Sequence, residues 1–150
     1  MKFVVDGYNL IATMKSITLS DPEKEKRLAG FINQRTLKKH HYLLVFDGKH
    51  QGYPYGSQEA IGCCTLQFTP LQQSADAWII RFFSRGPAQA LLVTNDLAII
   101  KGCKLKKKQK VSCEDFLNML QKDNSPQLSN EKPLQENHIN YWLNTFCERE

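Results

Sequence analysis

The sequence has no long apolar run. No stretch approaches the roughly 18 apolar residues of a membrane span, and only Phe3, Val4 and Val5 precede the first aspartate, so neither insertion nor export is expected. Paired cysteine motifs are also missing. The five cysteines, Cys63, Cys64, Cys103, Cys113 and Cys147, are odd in number and form no C-x-x-C, so they read as reduced thiols of a cytoplasmic protein rather than zinc ligands or disulfides. His40, His41, His50 and His138 have no ligand-like spacing either. There is no internal repeat and no low-complexity tract. Charge of one sign does not dominate: 20 Lys and Arg against 15 Asp and Glu leave a net +5, a modest bias toward polyanions such as nucleic acid. At 150 residues the default is one domain that can bury a core without staples.

What is present is a set of short apolar runs, each ending on an aspartate. Phe3 to Val5 runs into Asp6, Gly7, Tyr8 and Asn9, the pattern of a buried strand meeting a tight turn from which Asp6 and Asn9 face a common ligand. Ser20, Asp21, Pro22 and Glu23 open a helix expected over Pro22 to Lys39. Tyr42 to Phe46 is a second strand, ending at Asp47-Gly48; Lys49 to Gly62 reads as a loop, and Cys64 to Phe68 as a more peripheral strand. Ser74 caps a helix with Asp76 in its first turn and Gly86-Pro87 at its end. Ala90 to Thr94 is a further strand, entering Asn95-Asp96 and a short helical turn through Ile100. Six lysines follow between Lys101 and Lys110, then a capping box, Ser112 with Asp115, for a helix through Leu120. Residues 122–133 have linker composition, and residues 134–150, with Ile139, Trp142, Leu143 and Phe146 at helical spacing, an amphipathic helix docked on the body.

Strands alternating with helices predict an α/β fold whose parallel sheet is covered on both faces, with ligands bound beyond the carboxyl ends of the strands. Asp6, Asp47 and Asp96 all lie at such ends, and Asp76 can close the group from one side. One aspartate at a strand end is commonly a turn former; three on separate strands are harder to dismiss. Gathered carboxylates repel one another unless a cation is present, and Mg²⁺ or Mn²⁺ takes oxygen ligands and bridges to phosphate. Asn9 can hold a water or a phosphate oxygen without adding charge. Glu114 and Asp115 are assigned to capping. Lys49, Lys101, Lys104, Lys106, Lys107, Lys108 and Lys110 form a candidate phosphate-steering set, and Tyr8, Tyr53 and Tyr55 can stack on unpaired bases.

VDGYNLI at Val5 to Ile11, VFDG at Val45 to Gly48, FT with SADAWI between Phe68 and Ile79, and VTND at Val93 to Asp96 resemble the YacP-like NYN domains, members of the PIN-like nuclease group. The resemblance spans roughly residues 1–121. It implies a PIN-like three-layer α/β/α fold with a central, mostly parallel sheet. It further implies a divalent-metal-dependent endoribonuclease acting on single-stranded RNA, or on mRNA at the ribosome. By position it makes Asp6, Asp76 and Asp96 the metal-binding or catalytic acids, with Asn9 and Asp47 in support. Ala77 and Ile80 stand where relatives often carry further acids, and Asn95 where a serine is common. These departures keep a second expectation in view, a non-catalytic RNA- or ribosome-binding module on the same fold. A phospho-accepting receiver or a phosphatase fits less well, since Tyr8 occupies the place of the phosphatase's second aspartate.

Overall fold

The computed structural model describes residues 2–36, 40–48, 54–86, 89–105 and 109–123. Lys49, Tyr53, Lys106, Lys107, Lys108, most of the expected linker and the whole expected C-terminal helix lie outside the described residues. In chain order the elements are β1 (Lys2–Asp6), α1 (Gly7–Ala12), α2 (Lys24–Arg35), β2 (His41–Phe46), β3 (Ser57–Ile61), β4 (Cys64–Phe68), α3 (Ala75–Ser84), β5 (Ala90–Val93), α4 (Leu97–Cys103), β6 (Lys110–Val111) and α5 (Cys113–Asp123).

The central strands are apolar at nearly every position because both faces of the sheet are covered. Phe3, Val5, Tyr42, Leu44, Phe46, Leu91 and Val93 share one core with side chains of α1, α2 and α5. Val4, Leu43, Val45, Ala90 and Leu92 face the other way, into a second core with Ala75, Ile79 and Phe83 of α3 and Ile99 and Cys103 of α4. The six strands lie in the order β3-β4-β2-β1-β5-β6, and only the β3–β4 pair is antiparallel. From β1 the chain builds outward through β2 to β4, then returns to place β5 on the other side of β1. That reversal makes the gap between the carboxyl ends of β1 and β5 the switch point of the sheet, the usual place for a ligand.

Several boundaries differ from the sequence reading. The expected turn after Asp6 is the start of α1, and the need for Gly7 is a close approach: a Cβ there would come within 2.2 Å of the Phe46 ring. The helix expected over Pro22 to Lys39 begins at Lys24 and ends at Arg35. The stretch expected to be a loop contains β3, an exposed edge strand without apolar periodicity, joined to β4 through Gly62 at φ +60°. Asn33 of α2 clamps that hairpin, donating to the Ile61 carbonyl at 2.8 Å and accepting from the Cys63 N–H at 2.8 Å. The lysine-rich stretch contributes the two-residue strand β6, and α5 runs past Leu120 to Asp123, beyond the expected linker start.

Candidate functional site

The three aspartates that end apolar runs meet at one end of the sheet. Asp6 closes β1, Asp47 follows β2, and Asp96 follows β5 as the N-cap of α4, its Oδ1 accepting from the Ala98 N–H at 2.9 Å. Asp76 enters from above the sheet in the first turn of α3, whose own cap is the Ser74 hydroxyl accepting from the Ala77 N–H at 3.1 Å. Asp47 is placed by a constrained junction. The Gly48 N–H donates to Thr69 Oγ1 at 3.0 Å, and a Cβ on Gly48 would stand 1.8 Å from the Thr69 carbonyl oxygen, so only glycine lets the two segments touch.

Asp6 and Asp76 feel the carboxylates around them. Asp6 is buried at 7 % exposure and its pKa is raised to about 6, chiefly by burial and further by the charges of Asp76 and Asp96. The Thr94 hydroxyl, donating to Asp6 Oδ2 at 3.1 Å, and the nearby Asn9 N–H offset part of that rise. The pKa of Asp76 is also raised, first by partial burial and then by Asp96 and Asp47. This mutual repulsion is the electrostatic signature of a site that favours a cation.

A second set of polar contacts holds the floor of the site. Asn9 Oδ1 accepts from the Asn95 N–H at 2.9 Å and from the Cys113 thiol at 3.3 Å. Asn95 in turn accepts from the Cys113 N–H at 2.9 Å and donates from Nδ2 to Glu114 at 3.0 and 3.2 Å. Burial, with Asp6 and Glu114 nearby, pushes the Cys113 thiol up to about 12, so it stays protonated as a donor. Thr94 links the two sets, since its Oγ1 also accepts from the Asp96 N–H at 3.1 Å. Glu114 therefore does more than cap α5: it fixes Asn95, although the expected cap at Ser112 is present, its Oγ accepting from the Asp115 N–H at 3.1 Å. Cys113 and Glu114 arrive through β6, which gives no periodic signal, and only the VTND string hinted at Thr94 and Asn95.

Of the candidate RNA contacts, Lys101, Lys104 and Lys110 are exposed, but α4 carries Lys101 and Lys104 to its far end from Asp96. Tyr8 is half-buried, with its ring 5.0 Å from that of Phe46 and its hydroxyl donating to Glu25 at 2.7 Å. Tyr55 is exposed.

The donor set has the chemistry of a hard divalent cation: carboxylate oxygens at one end of the sheet whose charges repel one another. Among the described residues, however, no three His, Cys, Asp or Glu side chains stand close enough to hold a metal ion together. The arrangement suits an ion held by one or two carboxylates that keeps several waters, as Mg²⁺ does.

The chain is thus a mostly parallel α/β domain with an acidic cluster at the switch point of its sheet. The family model of the YacP-like NYN domain matches residues 3–146, and the chain belongs to that family. The match continues well past residue 121, where the resemblance was expected to stop. Two solved structures, both of Rae1 (YacP) from Bacillus subtilis, share the fold. One is 17% identical with a TM-score of 0.60, covering 99% of this chain and 93% of that one. The other, a W164L mutant, is 19% identical with a TM-score of 0.60 over 80% of this chain and 74% of that one. No curated protein matches by sequence. No helix among the described residues is long and apolar enough to cross a membrane.

Proposed function

We propose that this chain is a divalent-metal-dependent endoribonuclease that hydrolyses phosphodiester bonds of single-stranded RNA, with ribosome-bound mRNA as one form of that substrate. The observation that carries the reading is the gathering of Asp6, Asp47, Asp76 and Asp96 at the ends of the strands, with the proton affinity of Asp6 and Asp76 raised by burial first and then by neighbouring carboxylates. Membership of a nuclease-type family supports it. One or two of Asp6, Asp76 and Asp96, with the remaining acids and Asp47 beside them, would hold Mg²⁺ or Mn²⁺. Such an ion, when bound, stabilises charge on the phosphodiester and acidifies a water.

The chain's own residues divide the remaining work. Thr94 engages Asp6 Oδ2 and so fixes the orientation of that carboxylate. Asn95 and Cys113 commit Asn9 Oδ1, which leaves the Nδ2 amide to donate to a phosphate oxygen. Asp76, exposed at the rim with raised proton affinity, would take the proton of the attacking water as the new phosphorus–oxygen bond forms and return it to the ribose oxygen that leaves as its own bond to phosphorus breaks. Cleavage of single-stranded RNA is expected in Mn²⁺ or Mg²⁺, abolished by EDTA and reduced about 10²-fold or more in Asp6→Asn and Asp96→Asn. Cleavage that persists in chelator or in both variants overturns this mechanism.

A second reading, a binding module without catalysis, is favoured by the lack of a closed three-ligand group among the described residues and by Ala77 and Ile80 on the helix after Asp76. It requires metal-independent RNA binding with no cleavage under any divalent ion, and binding weakened by charge removal at Lys104, Lys106, Lys107 and Lys108.

A further inference from the structure

The opposite end of the sheet carries a groove of about 700 Å³ that the acidic site does not use; Lys2, His41, Gln58, Trp78, Phe82 and Arg85 are among its lining residues. It sits where the strands begin, since Lys2 pairs with His41 and Ala90 at the amino ends of β1, β2 and β5. A smaller hollow of about 240 Å³ adjoins it, sharing Trp78, Phe82 and Arg85 and adding Gln73 and Arg81. The two hollows follow one face of α3, on which Trp78, Arg81, Phe82 and Arg85 recur at helical spacing.

The chemistry of this face is specific. The Trp78 and Phe82 rings stack with centroids 5.6 Å apart and an interplanar angle of 13°, and both remain partly exposed. Lys2 Nζ lies 5.2 Å from the Phe82 centroid, a cation held over the edge of the aromatic floor. No carboxylate among the described residues lines either hollow. Among the described residues the ion pairs are Lys24–Glu25 and Arg27–Asp21, and Lys2, Arg81 and Arg85 pair with no carboxylate there. A plain polyanion site would need the cations but not the stacked rings. Single-stranded nucleic acid uses both, with bases on the rings and phosphates on the cations.

We infer that this groove is a second RNA-binding surface, holding nucleotides of a single strand away from the acidic site. It rests on the RNA reading given under the proposed function. Asp76 at the start of α3 faces the carboxylates and Arg85 just past its end lines the groove, so one helix of 10 residues, about 15 Å long, connects the two. A strand lying along α3 would be gripped in the groove while a neighbouring phosphate reaches the acids.

The sequence has two tryptophans, so Trp142→Phe leaves Trp78 as the sole tryptophan reporter. In EDTA, where cleavage is blocked, an unstructured 10-nucleotide RNA is expected to quench Trp78 saturably. By anisotropy of the labelled RNA, Arg81→Glu/Arg85→Glu should weaken binding about 10-fold or more and lower the salt slope by about 1.4, two phosphate contacts' worth for a single strand. Trp78→Ala should also weaken it about 10-fold, and Trp78→Phe, which keeps a ring, should restore most of the loss. Unchanged affinity and salt slope in a double-arginine variant with wild-type circular dichroism overturn the inference, as does polyglutamate competing as well as RNA. The two readings fail separately. RNA held in the groove without cleavage under any metal removes the nuclease, while metal-dependent cleavage with an unquenched Trp78 removes the groove.

Discussion

At the scale of single residues, Asp6 sets the terms of the site because it is the carboxylate that burial penalises most. Its pKa is raised to about 6 by burial first and then by Asp76 and Asp96, against an ordinary value near 4 in the unfolded chain. The folded protein therefore binds this proton more tightly than the unfolded one. The stability that Asp6 contributes is present in full below about pH 4 and is lost as pH rises through about 6, at a cost of about 3 kcal/mol when it is fully ionised. Asp6→Asn keeps the shape and an acceptor for the Thr94 hydroxyl but removes the charge. In metal-free buffer at pH 7.5 it should be more stable than the parent by about 1–3 kcal/mol, with the gain fading as pH falls toward 4. Urea titrations at the two pH values measure this; a variant less stable at pH 7.5 would show that the ionised carboxylate is already compensated. The same substitution is expected to abolish cleavage, so stability and activity should move in opposite directions.

At the scale of elements, α4 shows how a site residue and a strained end share one short helix. Asp96 caps its start, and Lys104 ends it in the left-handed region at φ 52°, the one described non-glycine residue there. Glycine is the usual residue at that position because it has no Cβ to crowd the carbonyl. Lys104→Gly should accordingly stabilise the fold by about 0.5–1 kcal/mol, read as a higher urea midpoint at unchanged slope; a lower midpoint would mean that the lysine stem packs usefully on the surface. Such local strain left no trace in the sequence, whereas the covered strands were readable in advance. β1, β2, β4 and β5 are legible because burial on one or both faces demands apolar runs, and Asp6, Asp47 and Asp96 because a charge must wait for the end of such a run. Asp76 was legible from the Ser74 cap. β3 and β6 were not, one being polar and exposed and the other two residues long. α1 was hidden by its six-residue length and a glycine start. Glu114 was assigned to capping alone because nothing local indicates that β6 returns the chain to Asn95.

At the scale of the whole molecule, a net charge of +5 conceals a polar distribution: acids gather where the strands end, and Lys2 and Arg85 line the groove where they begin. RNA would be drawn to the basic end by long-range attraction, but the acidic end repels phosphate until a cation neutralises it. Metal should thus act first on the protein and only then on catalysis. Occupancy at 100 times the dissociation constant stabilises the folded state by about 2.7 kcal/mol, which for a chain of this size is an upward shift in Tm of roughly 5–10 °C. The ion competes with the proton on Asp6, whose pKa near 6 means that at pH 5 most molecules must release it before binding. The Mn²⁺-induced shift should therefore be large at pH 7.5, much smaller at pH 5 at the same metal concentration, and absent from Asp6→Asn at both. Thermal melts with and without Mn²⁺ test this without any assay of cleavage. Equal shifts at the two pH values, or a full shift in Asp6→Asn, would place the ion elsewhere and leave the acids at the switch point as a mere electrostatic burden. A shift with the expected pH dependence in a protein that never cuts RNA would instead assign the acids to metal binding alone, and would make the departures at Ala77 and Ile80 the place to look for the lost step.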